Sequence, residues 1–322
     1  NPMSGFDALR NVHEIIPTEA RLHQKLRRVE LNFIDEPKSY DEVAAALAEH
    51  ERILCIVNTR RDAKELYDRL PKDGICLHLS RMMCPAHIAA TIQQVKDALR
   101  QEASVPIRVV STQLIEAGVD IDFPVVFRQE AGLDSVLQAA GRCNREGRKE
   151  ICTTYVFSLS KEHTLPPGFI TQTNNARKAM GNAHDWFSTE AMQSYFRQLH
   201  SRVDNFDEPQ MEALLYKKEC EFEEAASRFR LIDDKTIPVI INWQNSMTLY
   251  QQLLEQGPSY PLMKKLAQYS VSVRRRDFQE LLKIGAIEEP YENIYIISNP
   301  GFYKQDTGLT LDNQWLEETY II

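Results

Sequence analysis

Arg142 and Arg145 stand three residues apart behind Gln138 and Gly141, in the string Gln138-Ala139-Ala140-Gly141-Arg142-Cys143-Asn144-Arg145. That set of residue types suits a nucleoside triphosphate. A guanidinium placed against the γ-phosphoryl oxygens stabilises the charge that spreads over them in the transition state. Its planar fork holds phosphate oxygens at fixed orientation, which a lysine cannot do. The spacing predicts that both arginines share one face of a helix running on from Leu133-Asp134-Ser135-Val136-Leu137. Gln138 is placed to orient the γ-phosphate or its water, and Gly141 permits close backbone approach. Upstream lies Ser111-Thr112-Gln113-Leu114-Ile115-Glu116-Ala117-Gly118-Val119-Asp120-Ile121-Asp122, led in by the apolar run Ile107 to Val110. Thr112 is thus expected at a strand's C-terminal end, where open α/β sheets bind ligands. Its hydroxyl and N–H suit a nucleic-acid phosphate. Gly118 allows a tight turn, and Asp120 is placed to accept from a ribose hydroxyl. Taken singly, such arginines more often decorate a solvated helix and such an aspartate caps a turn; the two patterns in this order favour the chemistry.

The elements that position these residues alternate strand and helix from Val29 to Phe157. Val29–Ile34, Arg52–Val57, Ile75–Leu79, Ile107–Ser111, Val125–Arg128 and Thr153–Ser158 read as strands. Between them Ser39 caps a helix to His50, Thr59 caps one to Leu70 with Asp62 as capping-box partner, and Pro85 opens one to Gln101. This alternation predicts an α/β fold, a parallel sheet with helices on both faces. Ser160 to Phe169, with Pro166-Pro167-Gly168, reads as a linker, so a first domain is expected over 1–160 and a second over 161–322. The second half reads as mainly α-helical with a few short strands. Ser188 caps a helix to Ser201, Pro209 opens another through Lys218, and Pro261–Tyr269 and Arg276–Lys283 are helical, with Gly285 as a stop. Lys235–Asn242 is a strand that Pro238 marks as an edge, and Tyr295–Ser298 is a further β segment. Tyr195, Phe196, Phe222 and Phe229 fall on apolar faces and are expected in the core.

Composition gives no overall basic field: 38 basic residues face 46 acidic ones. A strand held in a groove by local contacts needs none. Local basic runs occur at Arg142–Lys149 and Arg274-Arg275-Arg276. The six cysteines show no C-x-x-C spacing, which argues against zinc and disulfides and fits a reducing cytoplasm; Cys55 and Cys76 read as small core residues. No apolar run reaches membrane-spanning length and no signal-peptide pattern opens the chain, which reads as an excised domain.

The Gln-x-x-Gly-Arg-x-x-Arg string resembles the sixth motif of superfamily 2 helicases and translocases. With Thr112 to Phe123 it is similar to the second RecA-like lobe of the type I CRISPR signature helicase–nuclease. Ala131 to Arg145 resembles its subtype I-C branch. Ile53 to Thr59 looks like the family's motif IV strand and turn, and Leu77-His78-Leu79-Ser80 with Cys84-Pro85-Ala86-His87 like its next motif. Phe229 to Asp234, Thr236 to Ile240 and Gln268 to Val273 resemble its C-terminal domain. The resemblance implies a RecA-like fold, with ATP and Mg²⁺ as cofactors and single-stranded DNA and the crRNA-guided complex Cascade as partners. It implies an ATP-driven DNA helicase/translocase–nuclease of antiviral defence in the cytoplasm. Arg142 and Arg145 would act as arginine fingers, Gln138, Gly118 and Asp120 would bind nucleotide, and Thr112, Asn58 and Thr59 would contact the strand. The place after the motif's glutamine, often arginine elsewhere, is Ala139 here.

The other half of such a site does not occur in these residues. No Gly-Lys-Ser/Thr is found in the 322 residues, and Asp35-Glu36, followed by Pro37-Lys38, reads as a strand end rather than a magnesium box. His184-Asp185, the one His-Asp dipeptide, reads as a surface pair, and no metal site is expected. Phosphate loop, magnesium carboxylates and nuclease would all come from a first lobe and nuclease domain outside this chain, so it is expected to be inactive as an ATPase alone. Two other readings remain: another superfamily 2 translocase, and a stand-alone, non-enzymatic interaction module. A continuous upstream reading frame with a phosphate loop would favour the enzyme, and a separate product starting near Asn1 would favour the module.

Overall fold

The computed structural model describes residue 15 and residues 22–101, 105–116, 118–160, 170, 172–177, 185–201, 210–215, 221–229 and 236–310. After a short helix α1 (Leu22–Lys25), six strands form one parallel sheet: β1 (Val29–Phe33), β2 (Arg52–Val57), β3 (Ile75–Leu79), β4 (Ile107–Thr112), β5 (Val125–Gln129) and β6 (Cys152–Phe157). Their order is β1-β6-β5-β2-β4-β3. Val57 stands opposite Thr112, and Leu79 opposite Ser111, so the C-terminal ends of β2, β4 and β3 lie side by side.

Along β2 the side chains alternate between two cores. Leu54 and Ile56 enter one with Val109, Phe123 and Val126; Ile53, Cys55 and Val57 enter the other with Leu47, Leu66 and Phe157. A strand buried on both faces reads as an unbroken apolar run, and that is what Ile53 to Val57 are. The covering helices are α2 (Tyr40–Ala48), α3 (Arg60–Arg69), α4 (Pro85–Arg100) and α5 (Leu133–Ala140). Ser39 and Glu42 close a full capping box on α2. On α3 only half a box forms. Thr59 accepts from the Asp62 N–H at 3.0 Å, but the Asp62 carboxylate takes the Tyr40 hydroxyl at 2.6 Å instead of reaching back.

Beyond the sheet, α6 (Thr189–His200) is capped by Ser188 and packs on α5: Tyr195 is 1% exposed and donates to Asp134 at 2.9 Å. A Cβ on Gly132 would strike that phenol, so the glycine sets how closely α6 braces α5. Tyr195 is thus a core residue as expected, whereas Phe196, Phe222 and Phe229 are exposed. Short helices α7 (Met211–Leu215) and α8 (Phe222–Arg228) follow. The proline-rich linker from 161, His184, Pro209, Lys218 and 230–235 lie outside the described residues.

A second sheet follows, built from β7 (Thr236–Ile241), β8 (Ser270–Arg274), β9 (Glu288–Tyr291) and β10 (Ile294–Ile297) in the order β8-β7-β10-β9. Helices α9 (Ser246–Gln256), α10 (Tyr260–Leu266) and α11 (Arg275–Lys283) accompany it, and β11 (Tyr303–Lys304) and β12 (Gly308–Leu309) form a hairpin. β7 is therefore central, not an edge. Its pairing with β10 begins only at Val239, so at Pro238 it has a neighbour on one side, β8, and a residue without an N–H is tolerated there.

The hairpin joins the second sheet to the first lobe. Leu309 N–H donates to the Met82 carbonyl at 2.7 Å, and Cys84 N–H donates to the Tyr303 hydroxyl at 3.1 Å. That hydroxyl also meets His87 Nδ1 at 2.8 Å, and the His87 ring stacks on Trp243 at 4.8 Å.

Nearby, His78 is 3% exposed and neither ring nitrogen has a hydrogen-bond partner. Burial holds its pKa down to about 3 from an ordinary 6.5. Between pH 6.5 and 3 the unfolded chain binds a proton that the folded chain refuses, so stability is complete above 6.5 and is lost as pH falls toward 3. His78→Leu is expected to flatten that loss by up to about 1.4 kcal/mol per pH unit. Denaturant unfolding of both proteins at neutral and mildly acid pH reads it; equal losses would mean His78 titrates normally.

Candidate nucleotide and nucleic-acid site

The strand ends supply a buried scaffold and an exposed face. β4 ends at Thr112, fully buried, with a hydroxyl that has no hydrogen-bond partner. A 3₁₀ turn, Gln113–Ile115, then carries the chain to Glu116, and Gly118 follows with φ of +71°, a conformation that favours glycine. Glu116 turns inward to Arg128 on β5 at 2.9 Å; the Arg128 side chain is 0% and the Glu116 side chain 6% exposed. Burial raises the Glu116 carboxyl pKa, and the Arg128 charge opposes it.

Arg128 also donates to Asn58 Oδ1 at 2.6 Å and to the Gln129 carbonyl at 2.8 Å. Asn58 in turn donates from its backbone to Gln129 Oε1 at 2.8 Å and from Nδ2 to the Glu130 carbonyl at 2.7 Å. The Asn58 side chain is therefore engaged in tying the end of β2 to the end of β5, and the Thr59 hydroxyl is engaged as the α3 cap. Neither Glu116 nor Arg128 was singled out by spacing. A charged residue inside the strand Val-Val-Phe-Arg-Gln is the signal that a buried partner exists.

The arginines do not sit on a helix. α5 stops at Ala140 with Gly141 as its C-cap, and Arg142 to Arg145 form the turn that follows. Asn144 takes φ of +47°, outside the helical region, which ends any shared helical face. The two guanidinia consequently differ. Arg142 is 8% exposed; its Nε donates to the Ile115 carbonyl at 3.1 Å and its Nη2 to the Glu116 carbonyl. Burial lowers its pKa. Arg145 pairs instead with Asp120 at 2.7 Å, with side chains 45% and 79% exposed.

The Arg145 backbone is pinned while its side chain is not. Its N–H donates to Asp122 Oδ1 at 2.7 Å, and its carbonyl accepts from Arg28 Nη1 at 2.7 Å. Asn144 Nδ2 adds bonds to the Arg28 and Lys149 carbonyls at 3.1 and 2.7 Å. Asp122 and Asn144 were passed over in the sequence, although an Asp-x-Asp before the arginine turn is legible there. Gln138 lies exposed on α5, one turn from the arginines. Gln138, Arg145 and Asp120 are all exposed, and Arg145 and Asp120 are paired. Among the described residues no group of three or more His, Cys, Asp or Glu side chains could hold a metal ion.

A parallel sheet in this order with helices on both faces is a RecA-like fold. The comparisons point to the same family of relatives. The family described as "CRISPR-associated nuclease/helicase Cas3, C-terminal" matches residues 49–148. The CRISPR-associated nuclease/helicase Cas3 of Haloferax volcanii is 58% identical over 73 residues, 22% of this chain and 8% of that protein. That of Methanothermobacter thermautotrophicus is 30% identical over 140 residues, 43% of this chain and 17% of that protein. The crystal structure of T. fusca Cas3 with ADP shares the fold at a TM-score of 0.54 and 15% identity, over 88% of this chain and 43% of that one. Residues 49–148 are thus similar to the C-terminal part of Cas3 helicase–nucleases. It spans less than a fifth of either curated relative.

Proposed function

We propose that this chain is the second motor lobe and accessory domain, divided near residue 160, of an ATP-driven DNA helicase–nuclease of CRISPR defence, of the subtype I-C branch. In this reading the motor is recruited by Cascade and moves along single-stranded DNA. The observation that carries it is Arg145, whose backbone N–H and carbonyl are both held while its guanidinium stands exposed against exposed Asp120. A first lobe brings ATP, and Arg145 exchanges Asp120 for the γ-phosphoryl oxygens, with Gln138 beside it. Asp120, once released, is free to accept from the ribose.

Arg142 has a different task, holding the loop of Ile115 and Glu116 to the arginine turn so that the two motifs move as one body. ATP, when bound between the lobes, would hold them closed and supply the phosphoryl group whose transfer to water lets them part. Mg²⁺ falls to the first lobe, because the described residues of this chain offer it no carboxylate cluster. Asn58, Thr59 and Thr112 are all buried, with Asn58 and Thr59 engaged in the scaffold, so any contact they make with a strand requires these strand ends to open to it.

Half of a phosphate site does not retain half of the activity, since positioning and electrostatics act together. The purified chain is expected to release no phosphate from ATP, with or without single-stranded DNA. DNA-stimulated release by this chain alone would overturn the reading of it as half a site.

A further inference from the structure

Arg28 grips the arginine turn from outside it. It stands one residue before β1, and its Nη1 donates to the Arg145 carbonyl at 2.7 Å. The turn holds Arg28 in return. The Arg28 carbonyl accepts from Asn144 Nδ2 at 3.1 Å and from the Cys152 N–H at 3.0 Å. The Arg28 backbone is thus fixed by both ends of the segment that its side chain crosses. Asn144 closes that segment on itself, donating to the Lys149 carbonyl at 2.7 Å and accepting from the Lys149 N–H at 3.1 Å.

A glycine clears the path of the side chain. Gly147 has φ of +66°, a conformation that favours glycine, and its N–H donates to the Asn144 carbonyl at 3.0 Å. A Cβ there would stand 3.2 Å from Arg28 Cδ and 3.4 Å from its Nη1, so the arginine stem lies over bare backbone. Arg27, next in sequence, turns away. Its Nη1 is 3.5 Å from Asp185 Oδ1, and its guanidinium carbon lies 5.5 Å from the centre of the Phe187 ring. Of the two, Arg28 serves the turn.

One exposed hydrogen bond adds little to the fold, and the turn keeps its Asp122 and Asn144 bonds without it. Its effect falls on position. Asp122 holds the Arg145 N–H and Arg28 holds the Arg145 carbonyl, so the two bonds together set the direction in which the side chain leaves the backbone. A shift of about 1 Å in a reacting group can cost on the order of 10²-fold in rate.

We propose that Arg28 is a positioning residue for Arg145, holding the turn so that the guanidinium meets the γ-phosphoryl oxygens in the transition state. It acts only through Arg145, and the assignment rests on the reading of Arg145 as the arginine finger.

The test is a double-mutant cycle in the full-length protein, with kcat and KM for ATP measured in the presence of single-stranded DNA, beside a melting curve. Arg28→Ala is expected to lower kcat by about 10- to 100-fold with KM for ATP and melting temperature unchanged. Arg28→Lys, which can still bring an N–H to the carbonyl, should recover most of the loss. In the Arg145→Ala background, Arg28→Ala should cost nothing more, because no guanidinium is left to misplace. Three results would each overturn the positioning role and leave the finger reading standing. They are wild-type kcat in Arg28→Ala, a kcat loss that comes with a lower melting temperature and is not rescued by lysine, and an equal further loss in the Arg145→Ala background. Wild-type kcat in Arg145→Ala overturns the finger reading and this proposal with it.

Discussion

Arg145→Ala in the full-length protein is expected to lower DNA-stimulated ATP turnover by about 10³-fold or more while leaving ATP affinity nearly unchanged. The guanidinium acts on charge that develops in the transition state, whereas ground-state phosphate contacts come mainly from the other lobe. The variant should fold, because the turn is held by the backbone of Arg145 and by the side chains of Asp122, Arg28 and Asn144. Arg142→Ala is expected to behave differently. It strips two buried loop carbonyls of their donor, so it should lower thermal stability as well as turnover. Steady-state turnover, nucleotide binding and a melting curve on each variant separate the two. Wild-type turnover in Arg145→Ala would remove the finger role from that residue.

Glu116→Ala is expected to destabilise the folded chain by about 3–5 kcal/mol, because it leaves the fully buried Arg128 without its carboxylate. The damage should extend to the site. Arg128 holds Asn58, and Asn58 ties the ends of β2 and β5, so DNA binding should weaken even where the protein remains folded. Glu116→Gln keeps an acceptor at the same place and should cost less. Urea unfolding of the three proteins reads the order; an Ala variant as stable as the wild type would mean the pair contributes nothing to the scaffold.

Much of the lobe was legible in the sequence because each signal was local. The run Ile53 to Val57 is apolar throughout, so β2 could be read as a strand buried on both faces, and Ser39 with Glu42 announced the start of α2. The errors came where a local rule was extended past its support. Three-residue spacing puts Arg142 and Arg145 on one face only if the helix continues, and Gly141 and Asn144 end it. Pro238 marks an edge only if the strand has a second neighbour along its whole length, and here that neighbour starts one residue later. Phe222 and Phe229 have helical spacing but no packing partner that buries them. The Glu116–Arg128–Asn58 network was out of reach for a different reason. Its members come from three separated segments, and only the order β5-β2-β4 brings them together.

The most direct measurement of the central claim mixes this chain with a separately purified first lobe that carries the phosphate loop and magnesium carboxylates. ATP hydrolysis is followed with and without single-stranded DNA. The wild-type chain is expected to restore DNA-stimulated hydrolysis that neither part shows alone, and the Arg145→Ala chain is expected to bind the first lobe without restoring it. Equal restoration by both chains would contradict the account, since the chain would then complete the ATP site without the residue assigned to do so.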